Sequence, residues 1–416
     1  MIVSNWTIDR GRSYELDQNS PGTASITLID TTGELDPSGT AYSFEVGTPG
    51  AIALNNPVTG IASTIFRGWV TRINYDLYQT QKYATVTVDL ADGLDRLANM
   101  EMYGGQGYGS VWGDFPRLSE QGDITFFADS TSAAVKHRID QVLDQAGWPT
   151  GQREIFTGNV SLQSVVYSYR TSAMTAIQDA ADAEFPGVAN FYVAKDGKAT
   201  FHGRQARFKP DDAQYKISKW RCGDMAAVTA DPTRALVFEL AYDRDVEKVI
   251  NSAHATPMNA PDTSAIIDPQ RVEDAGSIAS YGTRSVSYDS LLTAGDRTSG
   301  FGYGYTPAAL TATRKFANYY VSNFAQPKTR VNHITFKRVG PTDQYAPRLW
   351  ALMCGVDISD IIRLKTTHPG GGFDADFYVE GLHYSASPLS DTYVDVELTL
   401  DVSPRAYYTT DTFLDD

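Results

Sequence analysis

A chain of 416 residues has room for two to four domains, each with a real core. Its 50 acidic residues against 35 basic ones, a formal charge of −15, exclude a basic face for wrapping duplex DNA; 42% hydrophobic with only 20% charged residues excludes disorder. Aromatics make up 12% of the chain, led by 24 Tyr, and favour strands over helices. In chain order, Ala24-Ser-Ile-Thr-Leu-Ile-Asp30 alternates apolar and polar residues as a half-buried strand does, between turn signals at Ser20-Pro-Gly22 and Asp36-Pro37. Thr64–Ile73 and Tyr83–Asp89 repeat the pattern, and Asp92–Asn99 closes this β unit as a short helix. A glycine-aromatic loop at 103–113 marks a domain boundary or a surface loop.

The period then turns helical. Val135, Ile139, Val142, Leu143 and Ala146 form one stripe of a helix over 131–146, which Gly147 and Trp148-Pro149 end. A second helix runs from a Ser172 cap to Glu184, before Pro186-Gly187. Strands at 190–195 and 198–203 meet at Asp196-Gly197, a dipeptide suited to a type I′ turn. Strands at 236–242 and 248–254 follow, then a polar stretch over 257–299. A helix over 307–325, with Thr306 as cap and Pro307 at its first position, turns Leu310, Phe316, Ala317, Tyr320, Val321 and Phe324 inward. Strands at 330–339, 361–366, 377–385 and 393–402 complete the pattern, with a short helix at 349–354 between the first two. The residues from Ser403 on read as a loosely held polar end.

Nothing in the sequence forms a catalytic constellation. His137, His202, His254, His333, His368 and His383 stand far apart, with no HxxxH, HExxH or HxH pair, and each reads as a satisfied or exposed histidine. No G-x-S-x-G elbow occurs, and the glycines at 104, 105, 107 and 109, or at 300, 302 and 304, do not fit G-x-G-x-x-G. Asp374 and Asp376 after Gly370-Gly-Gly372 offer calcium-type oxygens, yet read more simply as an acidic loop tip; Glu15, Asp17, Asp30, Glu34 and Asp36 read as turn chemistry and strand edges. Scattered carboxylates and aromatics keep a carbohydrate-binding or carbohydrate-cleaving protein as a rival. Cys222 and Cys354 make no disulfide framework and read as small buried residues, with a single bridge between them left open. The N-terminus has neither a basic region nor an apolar run of the signal-peptide kind, and no stretch is apolar enough to span a membrane. Asn5-Trp-Thr7 and Asn159-Val-Ser161 are then chance matches to a glycosylation pattern. No catalytic residue, metal or cofactor is expected.

The segments Arg10-Gly-Arg-Ser-Tyr-Glu-Leu-Asp17, Gly22–Asp30, Gly33-Glu-Leu-Asp-Pro37, Phe66-Arg-Gly-Trp-Val70, Thr87–Ala98, Arg138–Pro149, Phe191–Phe201, Ser280-Tyr-Gly-Thr-Arg284, Asp357-Ile-Ser-Asp360 and Tyr378-Val-Glu-Gly-Leu-His-Tyr384 follow one another along the chain. As an ordered set they resemble the tail-tip hub proteins, or minor tail proteins, of long-tailed actinobacterial phages. That family is similar to the baseplate hub of contractile-tailed phages. The resemblance implies a mainly β chain with an α+β insertion, in which two tube-like antiparallel β-barrel domains carry a peripheral α+β module. The bounds would be a first barrel at 1–102, the α+β module at 103–232, a second barrel at 233–404 with a helical insert about 257–325, and a flexible acidic tail at 405–416. It implies a homotrimer whose six barrels form a pseudo-hexameric ring in the virion tail tip, assembled in the host cytoplasm. Its neighbours would be the distal tail protein ring, the C-terminus of the tape measure protein and the tail-tip or central fibre proteins, with genomic DNA passing through without sequence-specific binding. A six-fold distal-tail-type ring protein is the structural alternative. On the ring reading, the −15 charge predicts an acidic bore to which DNA does not adhere.

Overall fold

The computed structural model describes residues 2–38, 45–77, 83–102, 108–109, 113–114, 123–131, 133–258, 271–296, 307–367, 372–390 and 393–408. Its frame is a 12-stranded sheet, whose strands are numbered in chain order. The N-terminal unit supplies β1 (Ile2–Gly11), β2 (Ser20–Asp30), β3 (Pro49–Asn55), β4 (Ala62–Leu77) and β5 (Ala84–Ala91). The C-terminal unit supplies β6 (Lys219–Gly223), β7 (Ala235–Leu236), β8 (Glu239–Asp243), β9 (Arg330–Lys337), β10 (Ile361–Lys365), β11 (Asp374–Ser390) and β12 (Tyr393–Pro404).

The long strand β11 is where the two units join. One of its edges carries β12 from Phe377 to Ser390. Along the other edge, Asp374–Tyr378 pair with β10 and Gly381–Ala386 pair with β1. From β1 the antiparallel order continues through β2, β5 and β4 to β3. The C-terminal unit closes on itself, because the segment from β7 to β8 changes partners midway. Cys222 and Gly223 of β6 pair with β7, Val237 N–H donates to Gly223 O (2.9 Å), and Phe238 N–H donates to Thr335 O (2.9 Å) as β8 joins β9. The expected mainly β architecture with an α+β module is therefore present. Lys219–Gly223, which lies within the 103–232 stretch, belongs to the large sheet.

Three cores hold the chain. The inner faces of both β units share one, with Ile8, Phe66, Val86, Ile334, Phe336, Leu382, Leu398 and Leu400 buried together; each such side chain contributes about 1.5–3 kcal/mol on burial. The α+β module packs the helices Ala134–Gln145 and Ala173–Glu184 against a small sheet, as the apolar stripe predicts. Ser172 Oγ caps the second of these by accepting from Thr175 N–H (3.2 Å). The third core lies under the helix Pro307–Phe324, whose Phe316, Ala317, Tyr320, Val321 and Phe324 are buried as expected and whose Leu310 is half-buried. Thr306, its expected cap, lies outside the described residues, as does most of the 103–113 loop.

Two local expectations are corrected. At Asp196-Gly197 only Gly197 has a positive φ (+88°), and Gly197 N–H donates to Ala194 O (2.8 Å), so the chain makes an ordinary turn followed by a left-handed glycine instead of a type I′ pair. The expected loose end does not start at 403. Ser403, Tyr407 and Tyr408 are buried, the tyrosines against Phe324, Tyr378 and Phe208; residues 409–416 lie outside the described ones. No helix among the described residues is long and apolar enough to cross a membrane.

Candidate functional site: a polar face across both units

Because side chains alternate along a strand, the face opposite the shared core is set by the intervening residues. The register lines them into rows that cross both units. Arg72, Asp89, Ser25, Thr7, Ser385, Glu397 and Lys337 stand directly side by side on β4, β5, β2, β1, β11, β12 and β9. A second row runs Thr23, Asp9, His383, Thr399, Thr335 and Glu239 from β2 to β8. A third holds Asn74, Thr87, Thr27 and Asn5. The face is thus made of short hydroxyl and amide side chains studded with carboxylates. Among the described residues, Asp9, Asp76, Asp89, Glu239, Asp395, Glu397 and Asp401 outnumber the cations Arg67, Arg72, Lys337 and His383 on this side.

Its charges are locally paired. Arg72 Nε meets Asp89 Oδ2 at 3.0 Å while Ser25 Oγ donates to Asp89 Oδ1 at 2.8 Å, and Lys337 lies 3.6 Å from Asp395. His383 sits where the two units meet, bridging Asp9 on β1 (Nδ1–Oδ1 2.8 Å) and Asp401 on β12 (Nε2–Oδ2 2.7 Å). The hydrogen bond to Asp401, joined by that to Asp9, outweighs partial burial and pushes the imidazole up to about 9. It is an imidazolium at neutral pH, donating from both nitrogens.

Directly behind this face the joint is fastened by buried charge. Glu380 accepts from Arg12 Nε (2.9 Å), from both terminal nitrogens of Arg207 (2.5 and 2.9 Å) and from Ser403 Oγ (2.6 Å). Burial alone would raise this carboxyl; the Arg12 and Arg207 guanidiniums reverse that and hold it at about 2. Arg207 belongs to the short helix Arg204–Phe208 of the α+β module, so one carboxylate ties that module to both β units. Gly11 makes the close approach possible. Its φ is +90°, and a Cβ there would sit 2.2 Å from Glu380 O. A second knot forms around Asp357-Ile-Ser-Asp360. Asp357 accepts from Arg10 (2.9 Å) and from Lys195 N–H (2.9 Å), while Asp360 accepts from Ser218 N–H and Trp220 Nε1 (2.9 Å each). Burial pushes the Asp360 carboxyl up to about 7.

The residues singled out from the sequence are not brought together as a reactive site. His202 is buried among Phe156, Tyr192 and Tyr215, and burial drives it down to about 3, so it stays neutral. His137 pairs with Asp129 (2.7 Å), and His254 lies 3.6 Å from Asp289. Asp374 and Asp376 stand on β11 beside β10, not on the expected loop tip, and pair with Arg363, Asp376 also with Arg405. Asp30 wraps its own turn, accepting from Thr32, Gly33 and Leu35 N–H. Glu15, expected at a turn or a solvated strand edge, is instead buried in a pair with Arg330 (2.6 Å). Cys222 and Cys354 are buried free thiols, which closes the question of a bridge between them. His368 lies outside the described residues, as do the glycines at 104, 105, 107, 300, 302 and 304. Sequence reasoning does not single out Glu380, Arg12 or Arg207, although the first two lie in motifs that carry the family resemblance.

No family model matches the sequence, and no curated protein matches it. Solved structures do match. The 43 kDa tail protein of prophage MuSo2 from Shewanella oneidensis aligns over 98% of this chain and 95% of its own, with 9% identity and a TM-score of 0.55. The tail protein from Neisseria meningitidis MC58 aligns over 96% of this chain and 92% of its own, with 11% identity and a TM-score of 0.50. This chain has their fold. At such identities the likeness is one of architecture, and it runs nearly end to end in both proteins.

Proposed function

We propose that the chain is a structural hub of a phage tail tip with no enzymatic role. The observation that carries this reading is the polar, acid-rich face that crosses both β units without a break. The shared fold of two phage tail proteins supports it. In the proposed assembly, three copies place six tube-like units in a pseudo-hexameric ring, with the units near 1–102 and 233–404 as tubes, β6 added to the second from the end of the 103–232 module, and that module at the periphery. The ring adapts six-fold tail and distal-tail rings to three-fold tip or central fibre proteins, and receives the C-terminus of the tape measure protein. The polar face lines the bore. Short hydroxyl side chains leave the lumen smooth, and the excess of carboxylates repels phosphate, so exiting DNA meets no adhesive Lys/Arg surface.

Mass measurement of the chain in solution and in particles tests this. Three copies per tail, with a three-fold ring in images of the isolated protein, is the expected result. Six copies would establish the distal-tail-type alternative, and a chain that stays monomeric at every concentration would overturn both.

A further inference from the structure

The run β3-β4-β5-β2-β1-β11-β12-β9-β8 leaves two strand edges open, because the closure through β7 ends at Val237 and does not extend along Glu239–Asp243, and the two edges differ in a complementary way. Among the described residues, β3 pairs only with β4, and β8 pairs only with β9. Beside β3 lies an open, mainly apolar groove of about 480 Å³, floored by Trp6, Ile52, Leu54, Trp350 and Val396 and edged by Val339. It opens where the N-terminal unit's strands stop, between the β3 edge and the segment after β9. On β8, Leu240 packs on the shared core, while Phe238 just before it and Tyr242 within it keep 62% and 47% of their surface exposed. Exposed strand edges are templates for pairing, and large exposed aromatics beside such an edge mark a surface that is covered in the assembled state.

We propose that the β8 edge of one copy docks on the β3 edge of the next, with Phe238 and Tyr242 entering the neighbour's groove. The inference rests on the ring reading above and supplies its contact. The occupant is a second copy because the two surfaces are matched within one chain: aromatic knobs at one end of the sheet, an apolar hollow at the other. The polar side also continues across such a joint, since the alternate residues Glu239, Ala241 and Asp243 of β8 would run on into Ala51, Ala53 and Asn55 of β3, all exposed or half-exposed. The acidic β8 would approach Arg338 at the groove's rim. Pairing one end with the opposite end is heterologous, and such contacts close into rings when the rotation allows. Each groove is completed only by its neighbour's side chains.

Two measurements test the contact on the full chain. The double variant Phe238→Ser/Tyr242→Ser, and separately Ala53→Lys on the edge strand, should weaken self-association at least tenfold by native mass spectrometry, with thermal melting of the monomer preserved. Oxidation of the pair Ala53→Cys/Ala241→Cys should give covalent species between copies, ending at a closed trimer. Wild-type rings that persist unchanged in all variants, with no cross-link, would overturn the edge contact and leave the hub reading standing. Cross-linked chains that grow past three would uphold the contact and overturn the trimeric ring. A wild-type chain that never self-associates would overturn both.

Discussion

The two sides of the joint between β1 and β11 handle charge in opposite ways. On the solvent side, Asp9, His383 and Asp401 pair at a site where the imidazole keeps 40% of its side-chain surface and Asp9 keeps 60%. On the core side, Arg12, Arg207 and Glu380 keep 1–2%. Glu380 and His383, close together on β11, thus meet very different dielectric surroundings. A buried ion pair adds little net stability over an apolar substitute, because desolvation offsets attraction; breaking one is costly, since it strands a charge. An exposed pair does little in either direction. The buried side therefore fixes how the two β units and the α+β module sit together, and the exposed side is free of that constraint.

The sharpest way to break this contrast is Glu380→Ala. It leaves two buried guanidiniums facing each other without a counter-charge, and Arg12 Nη2 and Arg207 Nε already lack partners. The expected loss is about 3–5 kcal/mol in urea unfolding. A loss below about 1 kcal/mol would mean that the joint is held by β1–β11 pairing alone. Next comes Gly11→Ala. The left-handed conformation costs about 1–3 kcal/mol for a residue with a side chain, and the approach to Glu380 O adds a clash. Gly33 supplies the comparison: its φ is +79°, and nothing lies within 4 Å of the place a Cβ would take. Gly33→Ala should show the strain alone, so Gly11→Ala must be the more destabilising of the two in the same unfolding assay. Equal losses would mean that the close approach to Glu380 costs nothing.

The sequence made the strands with clean alternation visible, because each turns one face to the core: 24–30, 64–73 and 83–89 all sit in the large sheet. Other strands break that signal for physical reasons and escape recognition. β1 places Arg10 in line with Trp6 and Ile8, so its inward row ends in a charge, whose partner Asp357 lies at the far end of the chain. β3 contains Pro49-Gly50 and small alanines, which read as a loop until β4 is beside them. β6 is five residues long and pairs in parallel with β10, so no hairpin signal marks it. The same holds for the candidate site. Alternation predicts that a polar face exists on each strand, while the crossing of that face from one unit to the other depends on β1 pairing with β11 across nearly the whole chain. Glu380 is 368 residues from Arg12, a separation over which spacing carries no information. The motifs containing them could be recognised; their meeting could not.

The smallest effect belongs to His383. Its folded value of about 9 lies above the ordinary 6.5, so the proton is held more tightly in the folded chain. The stabilisation from this imidazolium is then fully present below about pH 6.5 and is lost as pH rises through about 9. Partial exposure screens the interaction, so the change is a shallow one. The imidazole resonances in NMR should titrate near 9 in the wild type, and His383→Gln should flatten the stability decline between about pH 7 and 9.5 relative to the wild type. A resonance titrating near the ordinary 6.5 would show that Asp9 and Asp401 do not hold the ring from both sides. The two β units would then be joined on the solvent side by backbone pairing alone, and the contrast with Glu380 would be larger still.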